Sequence, residues 1–148
     1  MRVRDGLRRN GVTIEGDETV HRAAVLMEEA GVGSLVVLDH EAVVGVVTDR
    51  DLVRRAMAKS LAPDARIDGV MSSPAVTLDA DADLHAAYAQ FREHPIRRLV
   101  VTSDGDVVGV LTIDDLLINL SAQLGDIARP VTAETIFGQR DPSVPATR

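Results

Sequence analysis

The sequence predicts an α/β protein, of the α+β type, made of two βαββα repeats packed around a pseudo-two-fold axis. Three observations predict it. The chain falls on itself without a gap when shifted by 64 residues: Val12-Thr13 lands on Val76-Thr77, His21 on His85, and Val43-Val44-Gly45-Val46 on Val107-Val108-Gly109-Val110. Each copy alternates short β-branched runs with apolar stripes of helical period. Apolar residues make up 45% of the chain but aromatics only 2%, so the core must be built from Val, Leu, Ala and Ile. A half-repeat this small cannot bury its own sheet faces, which is why the copies should pack face to face.

The elements follow in order. Residues 12–14 read as a short strand. Thr19 can cap a helix over Val20–Ala30, and Gly31 is a good stop because it tolerates positive φ. Residues 34–38 and 42–47 read as strands joined by Asp39-His40-Glu41, and a helix follows over 49–58. The second copy repeats this. Leu84, Ala87, Tyr88 and Phe91 stripe its first helix, and Pro95 ends it. Asp104-Gly105 turns the hairpin between 97–101 and 106–111. Ile113, Leu116, Leu117, Leu120 and Leu124 stripe the last helix. Residues 3–7 and 67–71 occupy equivalent positions as lead-ins to each repeat. The expected organisation is repeat 1 over 1–58, a linker over 59–66, repeat 2 over 67–124 and a tail over 125–148. The tail carries Pro130, Pro142 and Pro145, so we expect a short helix near 133–137 and then fraying, with Ile136 and Phe137 free to dock.

Composition excludes several functions. With no cysteine there is no disulfide, thiolate nucleophile or cysteine zinc site. No apolar run approaches the roughly 20 residues that span a bilayer, and the basic start MRVRDGLRRN has no apolar segment behind it. The expectation is a cytoplasmic protein without a membrane partner. A net charge of −7 repels a phosphate backbone at long range and disfavours nucleic-acid binding. His21, His40, His85 and His94 show no metal-ligand spacing, so no metal site is expected. No serine or acid has a base-oriented nucleophile pattern, and no catalytic residue is assigned.

The informative motif is Gly45-Val46-Val47-Thr48-Asp49-Arg50-Asp51, copied as Gly109-Val110-Leu111-Thr112-Ile113-Asp114-Asp115. A strand ends, a threonine sits at the turn, and a carboxylate follows one helical turn later. Unpaired amides at a helix start suit a phosphate, and an aspartate can accept from two vicinal ribose hydroxyls. Thr-x-x-Asp is also a capping box, in which the same side chains satisfy the helix's own amides. Both readings stand on the motif alone.

The doubled pattern GVVTDRDL and HPIRRLVV…GVLTIDDLL resembles the CBS-domain family, over about residues 3–120. Members pair in tandem as Bateman modules and bind AMP, ADP, ATP or S-adenosylmethionine between repeats. The resemblance therefore implies a stand-alone regulatory module and not an enzyme. It implies an adenine nucleotide as regulatory ligand, no obligatory cofactor, a homodimer formed through helices, and an unidentified protein target. Carried over, the ribose-binding aspartate falls on Asp51 and Asp115, and the phosphate-side threonine on Thr48 and Thr112. The adenine-reading strand falls on Val12-Thr13 and Val76-Thr77, and the phosphate-binding base on Arg98 with Arg97 beside it. Where the second repeat has Arg97-Arg98 the first has Gly33-Ser34, which cannot donate a charge-assisted pair. The better site is therefore expected around Val76, Thr77, Arg97, Arg98, Thr112 and Asp115, with Val12, Thr13, Thr48 and Asp51 forming the second choice. Family members often carry a proline before the "VV" strand that this chain lacks there. Asp49, Arg50, Arg54 and Arg55 read as a solvated helix face, with Arg50 within reach of the first cleft, and Arg2, Arg4, Arg8 and Arg9 as a solvated, partly disordered arm, or alternatively as one that docks on an acidic partner or subunit. The rival reading is a ligand-free interaction scaffold in which the Thr-x-x-Asp pairs are only caps.

Overall fold

A computed structural model describes residues 1–137. The chain forms two compact units, Met1–Ile113 and a second beginning at Asp114. In the first unit a 3-10 turn (Val3–Gly6) precedes β1 (Thr13–Glu15), α1 (Val20–Ala30), β2 (Ser34–Asp39) and β3 (Ala42–Thr48). Next comes α2 (Asp49–Asp51), which runs directly into a π-helical stretch (Leu52–Ala56) and a 3-10 turn (Met57–Lys59). A second lead-in turn (Ile67–Gly69) precedes β4 (Thr77–Asp79), α3 (Leu84–Glu93), β5 (Arg98–Ser103) and β6 (Asp106–Thr112). The last helix is α4 (Ile113–Phe137), which from Asp114 onward makes up the described part of the second unit.

Each repeat builds one three-stranded sheet, in the orders β1-β2-β3 and β4-β5-β6. The outer pairs β1–β2 and β4–β5 are parallel, and the hairpins β2–β3 and β5–β6 are antiparallel. Both hairpins slip register at the same place, between Val37 and Leu38 and between Val101 and Thr102, as duplicated segments should. The capping signals behave as their chemistry requires. Thr19 Oγ1 accepts from the Arg22 amide at 3.0 Å, and Gly31 closes α1 at φ 63°.

The repeats are held together by a reciprocal exchange. The Val3 amide donates to Ala82 O (2.9 Å) and the Arg4 amide to Ala80 O (3.0 Å). Sixty-four residues on, the Ile67 amide donates to Glu18 O (2.9 Å) and the Asp68 amide to Gly16 O (3.0 Å). Each lead-in is therefore bonded to the other repeat. Burial follows the same rule: Ile67 and Val70 sit in one core with Ile14, Ala23, Met27, Leu35, Val37, Val47 and Ala56. The glycines of the duplicated motif make the approach possible. A methyl on Gly45 would lie 2.6 Å from Met71 Sδ and 2.7 Å from Ser72 O, and one on Gly109 would lie 2.8 Å from both Leu7 δ-carbons. The backbones of Val46 and Ser72 then pair in both directions, at 2.9 and 3.0 Å.

Three expectations are corrected. The basic start is ordered at its first half: Arg2 Nη1 and Arg4 Nη2 both reach Asp81 Oδ1, at 2.9 and 2.8 Å, and Arg2 bridges Asp83. The helix after β3 is irregular, because the Met57 amide is shared between the carbonyls of Leu52 and Val53 in a widened turn. The last helix does not stop at Gly125. That glycine is not in the left-handed region, so no cap forms, and the helix continues through Pro130. Proline there removes one intrahelical donor, from the carbonyl of the exposed Asp126, which water can replace. The backbone over 133–137 thus belongs to α4. Docking of the Ile136 and Phe137 side chains, and fraying over 138–148, lie outside the described residues.

Gly45→Ala is expected to lower unfolding stability by about 1–3 kcal/mol, because the Ser72 backbone cannot move aside cheaply. Gly69, with nothing within 4 Å of a built Cβ, is the control. Urea denaturation of Gly45→Ala and Gly69→Ala checks this; equal midpoints would remove the close-approach argument.

Candidate functional site

The exchange of lead-ins opens a groove whose two walls come from different repeats. It is lined by Val46, Thr48 and Asp51 on one side and by Ser72, Pro74, Ala75, Val76 and Pro95 through Arg98 on the other, with a volume of about 270 Å³. That is just below the range of about 300–1,000 Å³ usual for small-molecule sites. It combines one carboxylate with two guanidinium groups, so it is locally positive on a chain of net charge −7.

This grouping differs from the expected one. The sequence groups Arg97 and Arg98 with Thr112 and Asp115, and Thr48 and Asp51 with Val12 and Thr13. In the structure Val76, Arg97 and Arg98 share a groove with Thr48 and Asp51. Val12 lines another groove, with Arg4, Leu7, Arg8, Arg9, Asn10, Ala30 and Val32. Thr13 and Thr77 begin the edge strands β1 and β4 with exposed side chains. Thr112 is the register partner of Arg98 across the β5–β6 hairpin, and Asp115 stands in the first turn of α4, in the second unit. The physical reason is the exchange itself: a lead-in that crosses to the other sheet carries the following strand's approach with it.

The capping-box geometry is formed at Thr48 and Asp51. Thr48 Oγ1 accepts from the Asp51 amide at 3.1 Å, and Asp51 Oδ2 accepts from the Thr48 amide at 2.9 Å. The other helix-start amides are also occupied. The Asp49 amide donates to Gly33 O at 3.0 Å, and the Arg50 amide to Asp49 Oδ1 at 2.8 Å. Around residues 48–51, the amides expected to suit a phosphate are bonded to local acceptors. The cap does not consume the site. A carboxylate has two oxygens, and Asp51 Oδ1 keeps acceptor capacity on a side chain only 15% exposed. The Thr48 hydroxyl accepts with its oxygen and keeps its own proton to donate. Any anion must then be met by Arg97, which is exposed, and Arg98, which is half-buried.

Sequence reasoning missed Ser72, Pro74, Pro95 and Ile96 as groove residues, because linear spacing groups the motif residues of one repeat and does not say which segment of the other repeat faces them. The signal that could have found them is the pair of glycines in equal register, each demanding a close backbone from elsewhere. Among the described residues no group of three His, Asp or Glu side chains could hold a metal ion. No described helix is long and apolar enough to cross a membrane.

Comparison with known proteins settles the family. The sequence profile of the CBS domain matches residues 3–58 and 67–122. The chain belongs to the CBS-domain family. This tandem CBS pair is 35% identical over 113 residues to the YlbB protein of Bacillus subtilis, covering 75% of each chain. It is 33% identical over 109 residues to hypoxic response protein 1 of Mycobacterium tuberculosis, covering 72% of this chain and 76% of the other. Among solved structures, a CBS-domain protein from Pyrobaculum aerophilum complexed with AMP superposes with a TM-score of 0.68 at 29% identity, over 82% of this chain and 99% of that one.

Thr48→Ala is expected to lower stability by about 1 kcal/mol, because the Asp51 amide loses its acceptor. Equilibrium denaturation checks it; an unchanged midpoint would mean the cap is idle.

Proposed function

We propose that this CBS pair is a regulatory module that binds an adenine nucleotide or adenosyl ligand in the groove between its repeats. The observation that carries the reading is the placing of Asp51, Thr48, Arg97 and Arg98 on facing walls of one cavity. A sugar diol is met by the one acceptor oxygen that the cap leaves. A phosphate is met by two arginines, and one edge of the base by the backbone beside Val76. The AMP carried by the Pyrobaculum aerophilum relative supports this ligand class. The sequence puts the better site around Thr112 and Asp115; with Arg97 and Arg98 lining the groove of Asp51, that preference is reversed and Thr112 with Asp115 becomes the second choice. Binding regulates by differential affinity for two states of the module, which a partner protein then reads.

The rival reading is a ligand-free scaffold, and the completed capping box at Thr48 and Asp51 favours it. Thermal unfolding with AMP, ADP, ATP and S-adenosylmethionine separates the two. A one-site ligand at a hundredfold excess over its dissociation constant adds about 2.7 kcal/mol of stability; no shift with any of the four leaves the scaffold. Asp51→Ala and Arg98→Ala are each expected to weaken binding, and the double variant by less than the product of the single effects, because both act on one ligand. Losses from Asp115→Ala alone would return the site to the other helix start.

The exposed apolar stripe of α4 supports a homodimer. Leu117, Leu120, Leu124 and Ile127 are 56, 41, 61 and 68% exposed at alternating three- and four-residue spacing. Sedimentation is expected to give a dimer of the full chain, and Leu124→Glu a monomer.

A further inference from the structure

Arg55 reads from sequence as one of several solvated arginines. In the structure its guanidinium is a junction. Nη1 donates to Met71 O at 3.1 Å and to Val70 O at 3.3 Å, and Nε lies 3.7 Å from Asp51 Oδ1. The first two contacts hold the segment whose continuation, Ser72 through Val76, forms one wall of the groove. The third holds the carboxylate on the opposite wall. The same group therefore ties both walls, although Arg55 does not itself line the groove.

We propose that Arg55 is the positioning residue of the groove: by clamping the Asp51 carboxylate to the carbonyls of Val70 and Met71, it sets the spacing at which a ribose diol is gripped. The inference rests on the nucleotide reading above and deepens it. Three features carry it. At 3.7 Å the ion pair is longer than a hydrogen bond, so it orients Oδ1 electrostatically and leaves its lone pairs for a hydroxyl. Asp51 is mostly buried while Arg55 is half-exposed, so a partly solvated cation balances the charge of a carboxylate held in the wall. The planar fork of a guanidinium sets Nη1 on two carbonyls and Nε toward a carboxylate at a fixed spacing, which the single nitrogen of an ammonium does not reproduce.

The clamp also distinguishes the repeats. The residue 64 positions after Arg55 is Asn119, which has no charge and accepts from Gln123 Nε2 at 2.7 Å within α4. The helix start that carries Asp51 thus has a positioning cation, and the one that carries Asp115 has none at that position.

Calorimetric titration of the full chain with AMP and with its 2′,3′-dideoxy analogue tests the clamp, using wild type, Asp51→Asn, Arg55→Gln and Arg55→Lys. Arg55→Gln is expected to weaken AMP about tenfold and the dideoxy analogue less than about twofold, since only AMP presents the diol. Arg55→Lys should fall between, keeping the charge without the fork. Thermal melting of each variant verifies that it folds. Equal losses for both ligands would mean a general packing role and would overturn the proposal, as would no loss for either. If Asp51→Asn abolishes the preference for AMP but Arg55→Gln preserves it, the nucleotide reading survives and the clamp alone falls. If wild type shows no preference for AMP over the analogue, both fall.

Discussion

The structure depends on two strips of backbone crossing between two sheets. Each lead-in leaves its own repeat and bonds to the other, through amides of Val3 and Arg4 in one direction and of Ile67 and Asp68 in the other. A three-stranded sheet with one helix has too little interior to bury its Val and Leu side chains. Borrowing Ile67 and Val70 from the neighbour completes the first core. The crossing strips must lie close against the sheets, and a side chain at Gly45 or Gly109 would hold them off. The glycine of each Gly-x-x-Thr-x-x-Asp motif therefore serves the packing of the repeats, and the threonine and aspartate that follow it inherit a fixed place beside the crossing.

That constraint also makes the groove. Because a lead-in crosses, the wall facing Asp51 belongs to the second repeat, and Arg97 and Arg98 arrive there with it. Both grooves then carry arginines, but only this one sets them opposite a carboxylate. The neighbouring groove has lost the equivalent of Arg97-Arg98 to Gly33-Ser34, and its arginines come from the N-terminal segment instead. Duplication supplies two equivalent frames; a few substitutions make them chemically different.

The capping box at Thr48 and Asp51 shows why a motif can hold two meanings without contradiction. Its amides are satisfied internally, which stabilises the helix start. The same geometry fixes one carboxylate oxygen on the Thr48 amide and leaves the other with acceptor capacity on a residue that lines the groove. The cap and the proposed ribose contact use different atoms of the same side chains, so the scaffold and nucleotide readings share this geometry and part only over what fills the cavity.

Much of the fold was legible in the residues. The 64-residue offset, the Thr19 and Gly31 caps, the Asp104-Gly105 turn and the alternating apolar strands are local signals, set by φ/ψ preference and side-chain period. The candidate residues were legible too, as types. Their partnership was not. Thr48 with Arg98, or Arg55 with Met71, are pairs brought together by strips that exchange sheets, and nothing in linear spacing encodes which sheet a strip will join. The continuation of α4 past Gly125 was likewise hidden, since glycine and proline disfavour a helix only on average and an exposed turn tolerates both. The sequence by itself determined the repeat, its elements and the chemistry on offer. Only the tertiary structure decided which groups face one another, because burial of two undersized cores, and not chain order, selects the partner of each segment.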